Sequence, residues 1–250
     1  RMTKGESVYE KSYTQNQLKE LSPLLQERID HCKQNNIKII SYYTSSDDEY
    51  QAIDNAPDRY GAWESQIIAV KKICYLAKQL GYFLIVRVHP NLKNKDLSEQ
   101  ARWEELSIFI KDQDCYWISQ YDVDSTYNLV KQSDICISAG TTVGIESIYL
   151  GKPSIVICSC YYSFINAVQL CRSEEEMKEV LQKQSSFSKP DPSESYIYGA
   201  WAIGYATEYK YFKANDKISV LAGKMDDGTR IASAGLTQRI INIIKWVIPN

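Results

Sequence analysis

From residue 37 to about 183, short apolar runs alternate with longer segments of mixed polarity. The runs cover residues 37–43, 82–88, 115–118, 134–138 and 154–158. Each is apolar along most of its length, without the every-second-residue alternation of a half-exposed strand. Runs of this kind are buried on both faces, as in a parallel sheet. The intervening segments carry helical spacing. Over residues 63–80 it is set by Ile67, Val70, Ile73, Leu76, Ala77 and Leu80, and it stops at Gly81, which suits a left-handed cap. Further helices are expected over 98–110, over 125–132 with Asp124 as N-cap, over 143–150 ended by Gly151, and from Ser173 to about Gln182. Strand and helix in strict alternation predict an α/β domain with a Rossmann-like, doubly wound parallel sheet. In such sheets the ligand lies beyond the carboxyl ends of the strands.

The flanks differ in character. Residues 1–36 read as a lead-in helical segment, with a stripe at Leu18, Leu21, Leu24, Leu25 and Ile29. Residues 37–185 form the Rossmann-like body. Residues 186–250 read as an aromatic loop region followed by an amphipathic helix over 236–248 that packs on the domain. That helix also allows docking to a membrane surface. The tyrosines from Tyr196 to Tyr211 suit either an acceptor cleft or a core.

Composition narrows the partners. The formal net charge of -2 announces no phosphate-backbone binder, so nucleic acid is not expected. Seven cysteines at irregular spacing and two histidines, with no Cys-x-x-Cys pair, leave no zinc framework. Free thiols imply a reducing cytoplasm. Cys158 and Cys160 lie in an apolar run and are expected as core thiols on one strand face. No apolar run approaches the roughly 18 residues of a membrane span. A chain that opens on Arg1 reads as an excerpt of a longer protein.

Three strand ends carry unusual residues. The first is Thr44-Ser45-Ser46-Asp47-Asp48-Glu49. Small hydroxyl residues with exposed backbone N–H groups suit an anion, although helix capping explains this segment as well. The second is Arg87-Val88-His89-Pro90-Asn91. Arg87 and His89 fall on one face of the strand, where a cation and an imidazole together can neutralise a phosphate. The third is Ser138-Ala139-Gly140-Thr141-Thr142-Val143-Gly144-Ile145-Glu146. Here a strand enters a Gly/Thr turn and a helix begins at once. Its N-terminal N–H groups and the Thr141 and Thr142 hydroxyls can hold a phosphate, and Glu146 can accept from ribose hydroxyls. Gly140 and Gly144 allow close approach of a ligand or a neighbouring backbone. The turn is neither a Walker loop nor a Gly-x-Gly-x-x-Gly motif. Asp122-Val123-Asp124 looks like a metal-binding Asp-x-Asp, but its place before a helix fits capping better, and no metal is expected.

The ordered set resembles bacterial capsule and surface-carbohydrate biosynthesis proteins, the capsular Kdo transferases among them. The set runs from Thr44-Ser45-Ser46-Asp47-Asp48-Glu49-Tyr50 through Arg87-Val88-His89-Pro90-Asn91 and Asp122-Val123-Asp124-Ser125-Thr126 to the Ser133–Ser147 stretch and Tyr149-Leu150-Gly151-Lys152-Pro153-Ser154. More distantly it is similar to bacterial sialyltransferases and to CDP-glycerol polymerases. The resemblance implies the C-terminal half of a GT-B fold, in which a nucleotide-sugar donor sits against that half. It implies that His89 and Pro90, with Thr141 and Thr142, hold the nucleotide phosphate. Ser45, Ser46, Arg87, Asn91, Gly140 and Glu146 complete the expected donor-binding set from the residues themselves. It implies a CMP-activated sugar such as Kdo, no cofactor, and a glycan or glycolipid acceptor brought by a missing acceptor domain or partner chain. The catalytic base stays open, with Asp47, Asp48 and Glu49 as fallback candidates. Glycerol-phosphate transfer from CDP-glycerol stays open too, as does a non-catalytic binding or interaction domain. The location implied is cytoplasmic, at the inner face of the plasma membrane.

Overall fold

The computed structural model describes residues 20–45, 59–183 and 189–204, with Lys213–Ala214 and Leu221–Ala222. The chain divides into two compact units, one of residues 17–203 and one of residues 1–16 with 204–250. Of the second, the described part is a short antiparallel pair, β7 (Lys213–Ala214) with β8 (Leu221–Ala222).

The first unit is an α/β Rossmann-like domain. In chain order its elements are α1 (Pro23–Gln34), β1 (Ile39–Tyr43), α2 (Gln66–Leu80), β2 (Phe83–Arg87), α3 (Leu97–Asp112), β3 (Tyr116–Ile118), α4 (Thr126–Gln132), β4 (Ile135–Ser138), α5 (Val143–Tyr149), β5 (Ser154–Val156), β6 (Val168–Leu170), α6 (Glu174–Gln182) and α7 (Glu194–Gly204). The six strands lie in the order β3-β2-β1-β4-β5-β6, every neighbouring pair parallel. Successive strands step outward from β1 to β3, then restart on its other side at β4. The sheet is therefore doubly wound, as its continuous apolar strands predict.

Both faces are covered. Ile40, Tyr42, Leu84, Val86 and Ile137 pack with α2, α3 and α6 through Val70, Ile73, Leu106, Ile110, Met177 and Leu181. On the other face Ile39, Phe83, Ile85 and Cys136 pack with α1 and α4 through Leu25, Ile29, Leu129 and Val130. A third cluster joins Ile145 and Ile148 of α5 to Val156, Tyr162 and Ile165. Every residue of β1, β2 and β4 is buried, which is why their sequences run apolar without alternation. Helix ends follow local chemistry. Ser65 caps α2 by accepting from the Ile68 N–H, and Gly81 closes it at φ 69°.

Several expectations need correction. The cap of α4 is Ser125, which accepts from the Asn128 N–H, and not Asp124. Asp124 instead accepts from the Ser22 N–H at 2.5 Å, tying down the start of α1. Leu24 is 61% exposed and leaves the α1 stripe, whereas Cys32 joins it. Strand β5 stops at Val156, so Cys158 and Cys160 lie beyond it. Cys158 is buried, and Cys160 is partly exposed in the following turn. All seven cysteines are free thiols, and the Cys74 and Cys115 sulfurs lie 3.0 Å apart between α2 and the start of β3. β6 has no counterpart among the expected strands, because three residues centred on an exposed Gln169 carry no strand signature. α7 falls in the stretch expected as loop, because its aromatic residues and Gly199 mask a helical run. The expected helix over 236–248 and residues 1–19 lie outside the described residues. Among the described residues, no helix is long and apolar enough to cross a membrane.

Candidate functional site

The direction of winding reverses between β1 and β4, which are hydrogen-bonded neighbours. Outside their carboxyl ends a doubly wound sheet leaves a crevice. Tyr43 of β1 is in register with Ser138 of β4 on one side and Arg87 of β2 on the other. The three strand ends singled out in the sequence therefore stand side by side.

The segment after β1 is bound inward. The Thr44 N–H donates to the Arg87 carbonyl at 3.1 Å, and the Thr44 hydroxyl oxygen accepts from the His89 N–H at 2.7 Å. Ser45 is held from both sides by the side chain of Gln66, which is 1% exposed. The Ser45 N–H donates to Gln66 Oε1 at 2.8 Å, and Gln66 Nε2 donates to the Ser45 carbonyl at 3.0 Å. The backbone N–H groups of Thr44 and Ser45 are thus spent within the protein. They are not the exposed anion donors expected there. Ser46, Asp47, Asp48 and Glu49 lie outside the described residues.

At the β2 end, Arg87 is only 6% exposed. It shares the sheet face of Phe83 and Ile85 and lies beside Tyr43, whose phenol burial holds well above its ordinary pKa; the Arg87 charge opposes that rise. His89, half-buried, opens the 3-10 turn Pro90–Asn94. Its Nδ1 accepts from the Asn91 N–H at 3.2 Å. With Nδ1 as acceptor, the neutral ring carries its proton on Nε2, which is then a donor. Pro90 fixes the first position of that turn, and Asn91 accepts from Asn94 Nδ2 at 3.0 Å.

At the β4 end, Gly140 takes φ 88°, a conformation that side chains resist. Thr142 opens α5 but its side chain makes no capping bond. The Thr141 hydroxyl oxygen is buried without a hydrogen-bond partner. The Gly144 N–H donates back to the Thr141 carbonyl at 3.0 Å. Glu146 lies half-buried in the first turn of α5.

The reason for Gly144 differs from the one expected. A Cβ there would stand 2.3 Å from the Tyr162 hydroxyl and 2.7 Å from Ser138 Oγ. The bare position makes room for Tyr162, not for a ligand. Tyr162 is 1% exposed and donates to the Thr141 carbonyl. Its proton being committed there, Ser138 Oγ donates to the Tyr162 oxygen at 3.1 Å. Tyr198 of α7 packs edge-on against the Tyr162 ring at 5.8 Å. Tyr196 is 59% exposed and stands 6.2 Å from Tyr149. The tyrosines from Tyr205 to Tyr211 lie outside the described residues.

Sequence reasoning missed three supporting residues. Gln66 looks like any first-turn polar residue, and Tyr162 like one aromatic among several. Arg59 sits in a polar stretch without a pattern, yet its Nη2 donates to the Ala139 carbonyl at 2.8 Å, at the turn itself. The Asp-x-Asp pair binds main chain. Asp122 Oδ2 accepts from the Ser119 N–H at 2.6 Å, and Asp124 from Ser22. Among the described residues, no three His, Cys, Asp or Glu side chains gather as metal ligands.

Fold and edge geometry together define a doubly wound α/β domain with a polar switch point. No protein-family model matches the sequence, and no curated protein matches it. Solved structures do. The chain is similar to the UDP-GlcNAc 2-epimerase from Neisseria meningitidis bound to UDP-GlcNAc, at 15% identity and TM-score 0.41, over 73% of this chain and 49% of that one. It is similar to the β-Kdo 2,7 transferase from Thermosulfurimonas dismutans at 12% identity and TM-score 0.37, over 90% and 63%. It is similar to a wall teichoic acid polymerase at 16% identity and TM-score 0.36, over 72% and 47%. The chain spans about half the length of the first solved structures it matches, 50 to 52%. At such identities and scores no activity passes to this chain.

Proposed function

We propose that this chain is the donor-binding half of a GT-B glycosyltransferase that builds surface polysaccharide or glycolipid. One observation carries the reading. The β1/β4 switch point is bordered by His89, whose N–H donates to the Thr44 hydroxyl and whose Nδ1 accepts from the Asn91 N–H, and by the Gly140–Thr142 turn, where no side chain caps α5. These are the places where the ordered motifs expect a nucleotide phosphate. In this reading the phosphate lies between the His89 ring and the turn, where the Thr141 and Thr142 hydroxyls and the start of α5 face it. Negative charge grows on that phosphate as the glycosidic bond breaks. Donors fixed in advance stabilise it without reorganising. The reading needs no metal.

A carboxylate takes the proton from the acceptor hydroxyl. Asp47, Asp48 and Glu49 are candidates on this chain, and a second half or partner chain is another source. A CMP-activated sugar such as Kdo is the favoured donor. The accompanying setting is the cytoplasmic side of the plasma membrane, with a glycan or glycolipid acceptor.

Calorimetric titration with CMP, CDP, UDP and GDP tests the binding step, and incubation with CMP-Kdo, a UDP-sugar and CDP-glycerol tests transfer. Selective CMP binding with turnover of CMP-Kdo is the expected result. Turnover of CDP-glycerol alone makes the chain a glycerol-phosphate transferase. Binding without turnover of any donor makes it a nucleotide-binding module. A folded protein that binds none of the four overturns the reading.

A further inference from the structure

Three basic side chains stand near the carboxyl edge at the switch point, and their burial separates their roles. Arg87 is packed into the face below the edge, beside Tyr43. His89 is half-buried at the β2 corner. Arg59 reaches across the edge itself. It precedes a 3-10 turn, Gly61–Trp63, that is firmly anchored. The Ala62 N–H donates to the Arg172 carbonyl at 3.0 Å, and the indole of the fully buried Trp63 donates to the Cys171 carbonyl at 2.8 Å. From that anchor the Arg59 guanidinium lies over the Tyr60 ring, 5.1 Å from its centroid, and binds the carbonyl of Ala139. Ala139 directly precedes Gly140. The same charge is felt at Cys160, beyond β5, where it opposes the burial that raises the thiol. A side chain from the β1–α2 connection thus lays its cation over the end of β4.

We propose that Arg59 is the residue that recognises the anionic group of the ligand at the β1/β4 switch point. The proposal rests on the nucleotide-binding reading above. A guanidinium carries five N–H donors in a planar fork, so it can hold a backbone carbonyl and an anion together. Bonding to the carbonyl and stacking on Tyr60 fix its plane in advance, which lowers the entropy lost when a phosphate binds. Lysine, a point charge on a flexible stem, can replace the charge but not the fork.

The test uses the whole chain and its Arg59→Gln and Arg59→Lys variants, titrated with CMP and with UMP at 50 and 300 mM NaCl. Cytidine and uridine serve as uncharged counterparts, and thermal unfolding checks each variant. Arg59→Gln is expected to weaken the better-bound monophosphate at least tenfold, to flatten the salt dependence, and to leave the nucleoside unchanged. Arg59→Lys should recover the salt dependence and part of the affinity. Screening by salt reports the lost charge directly, which a structural role alone does not move. If Arg59→Gln weakens monophosphate and nucleoside alike with the salt dependence intact, Arg59 only supports the turn. If affinity does not change, Arg59 makes no contact with the ligand. Either result overturns the inference while the nucleotide reading stands. Failure of the unaltered chain to bind either monophosphate overturns the inference, and failure to bind CDP, UDP and GDP as well removes the nucleotide reading with it.

Discussion

The corner after β2 and the turn after β4 lie side by side on one edge, yet they are held in opposite ways. The corner is made mostly from its own residues. Pro90 sets the backbone, His89 Nδ1 takes the N–H two residues on, and the distant bonds go to the flanking strand ends, from the His89 N–H to Thr44 and from the Val88 N–H to Ile118. The turn is made from elsewhere. Tyr162 props the Thr141 carbonyl from 21 residues away, and Arg59 holds Ala139 from 80 residues away. A corner built locally can be read from sequence and tolerates change around it. A turn built by remote props has a visible outline, but its props are revealed only by folding.

That contrast can be tested by breaking each side. The largest effect is expected at Gly144→Ala. The added carbon meets the Tyr162 hydroxyl and Ser138, so Tyr162 must leave its place. Overpacking and the lost bonds together should cost about 3 kcal/mol in denaturant unfolding. Tyr162→Phe keeps the ring and removes the prop, and should cost about 1.5 kcal/mol by the same measurement. The pair sharpens the point when combined. With the hydroxyl gone the added carbon has more room, so the double variant should be more stable than the sum of the two losses. Strict additivity would mean that Gly144 is required for something other than Tyr162. Thr44→Val removes only the acceptor for the His89 N–H, and its cost should be near 1 kcal/mol, the smallest of the set.

The sheet beneath both regions has its own signature in pH. Burial pushes the Cys136 thiol from its ordinary 9.0 up to about 11, and the Cys171 thiol up to about 12. Burial raises Tyr43 in the same direction. Each group keeps its proton in the fold at a pH where the unfolded chain has lost it. Their contribution is complete below about pH 9 and is lost as pH rises through 11 and 12. Stability followed from pH 8 to 11 should fall, and Cys136→Ala should fall less steeply over the same range.

The fold was legible because its signal is repetitive. Five apolar runs with helical segments between them leave few arrangements, and β1 to β5 and α2 to α6 emerged with edges shifted by a few residues. What escaped was short or mixed. β6 has three residues, one of them exposed, and α7 combines aromatics with glycine. The site was legible as strand ends but not as a circuit. Nothing local distinguishes Arg59 or Gln66 from ordinary polar residues, because their roles come from partners 80 and 21 positions away. Arg87 differs again. Its spacing from His89 suggested one shared strand face, but the strand ends at Arg87, whose side chain is buried, while His89 is only half-buried.

The central claim is that a nucleotide phosphate binds at this edge against His89. Calorimetry on the unaltered chain and on His89→Ala, with whichever of CMP, CDP, UDP or GDP binds, tests it most directly. The account predicts a loss of at least tenfold, about 1.4 kcal/mol, with unfolding temperature little changed. Equal affinity in the two proteins would place the nucleotide elsewhere and contradict the account.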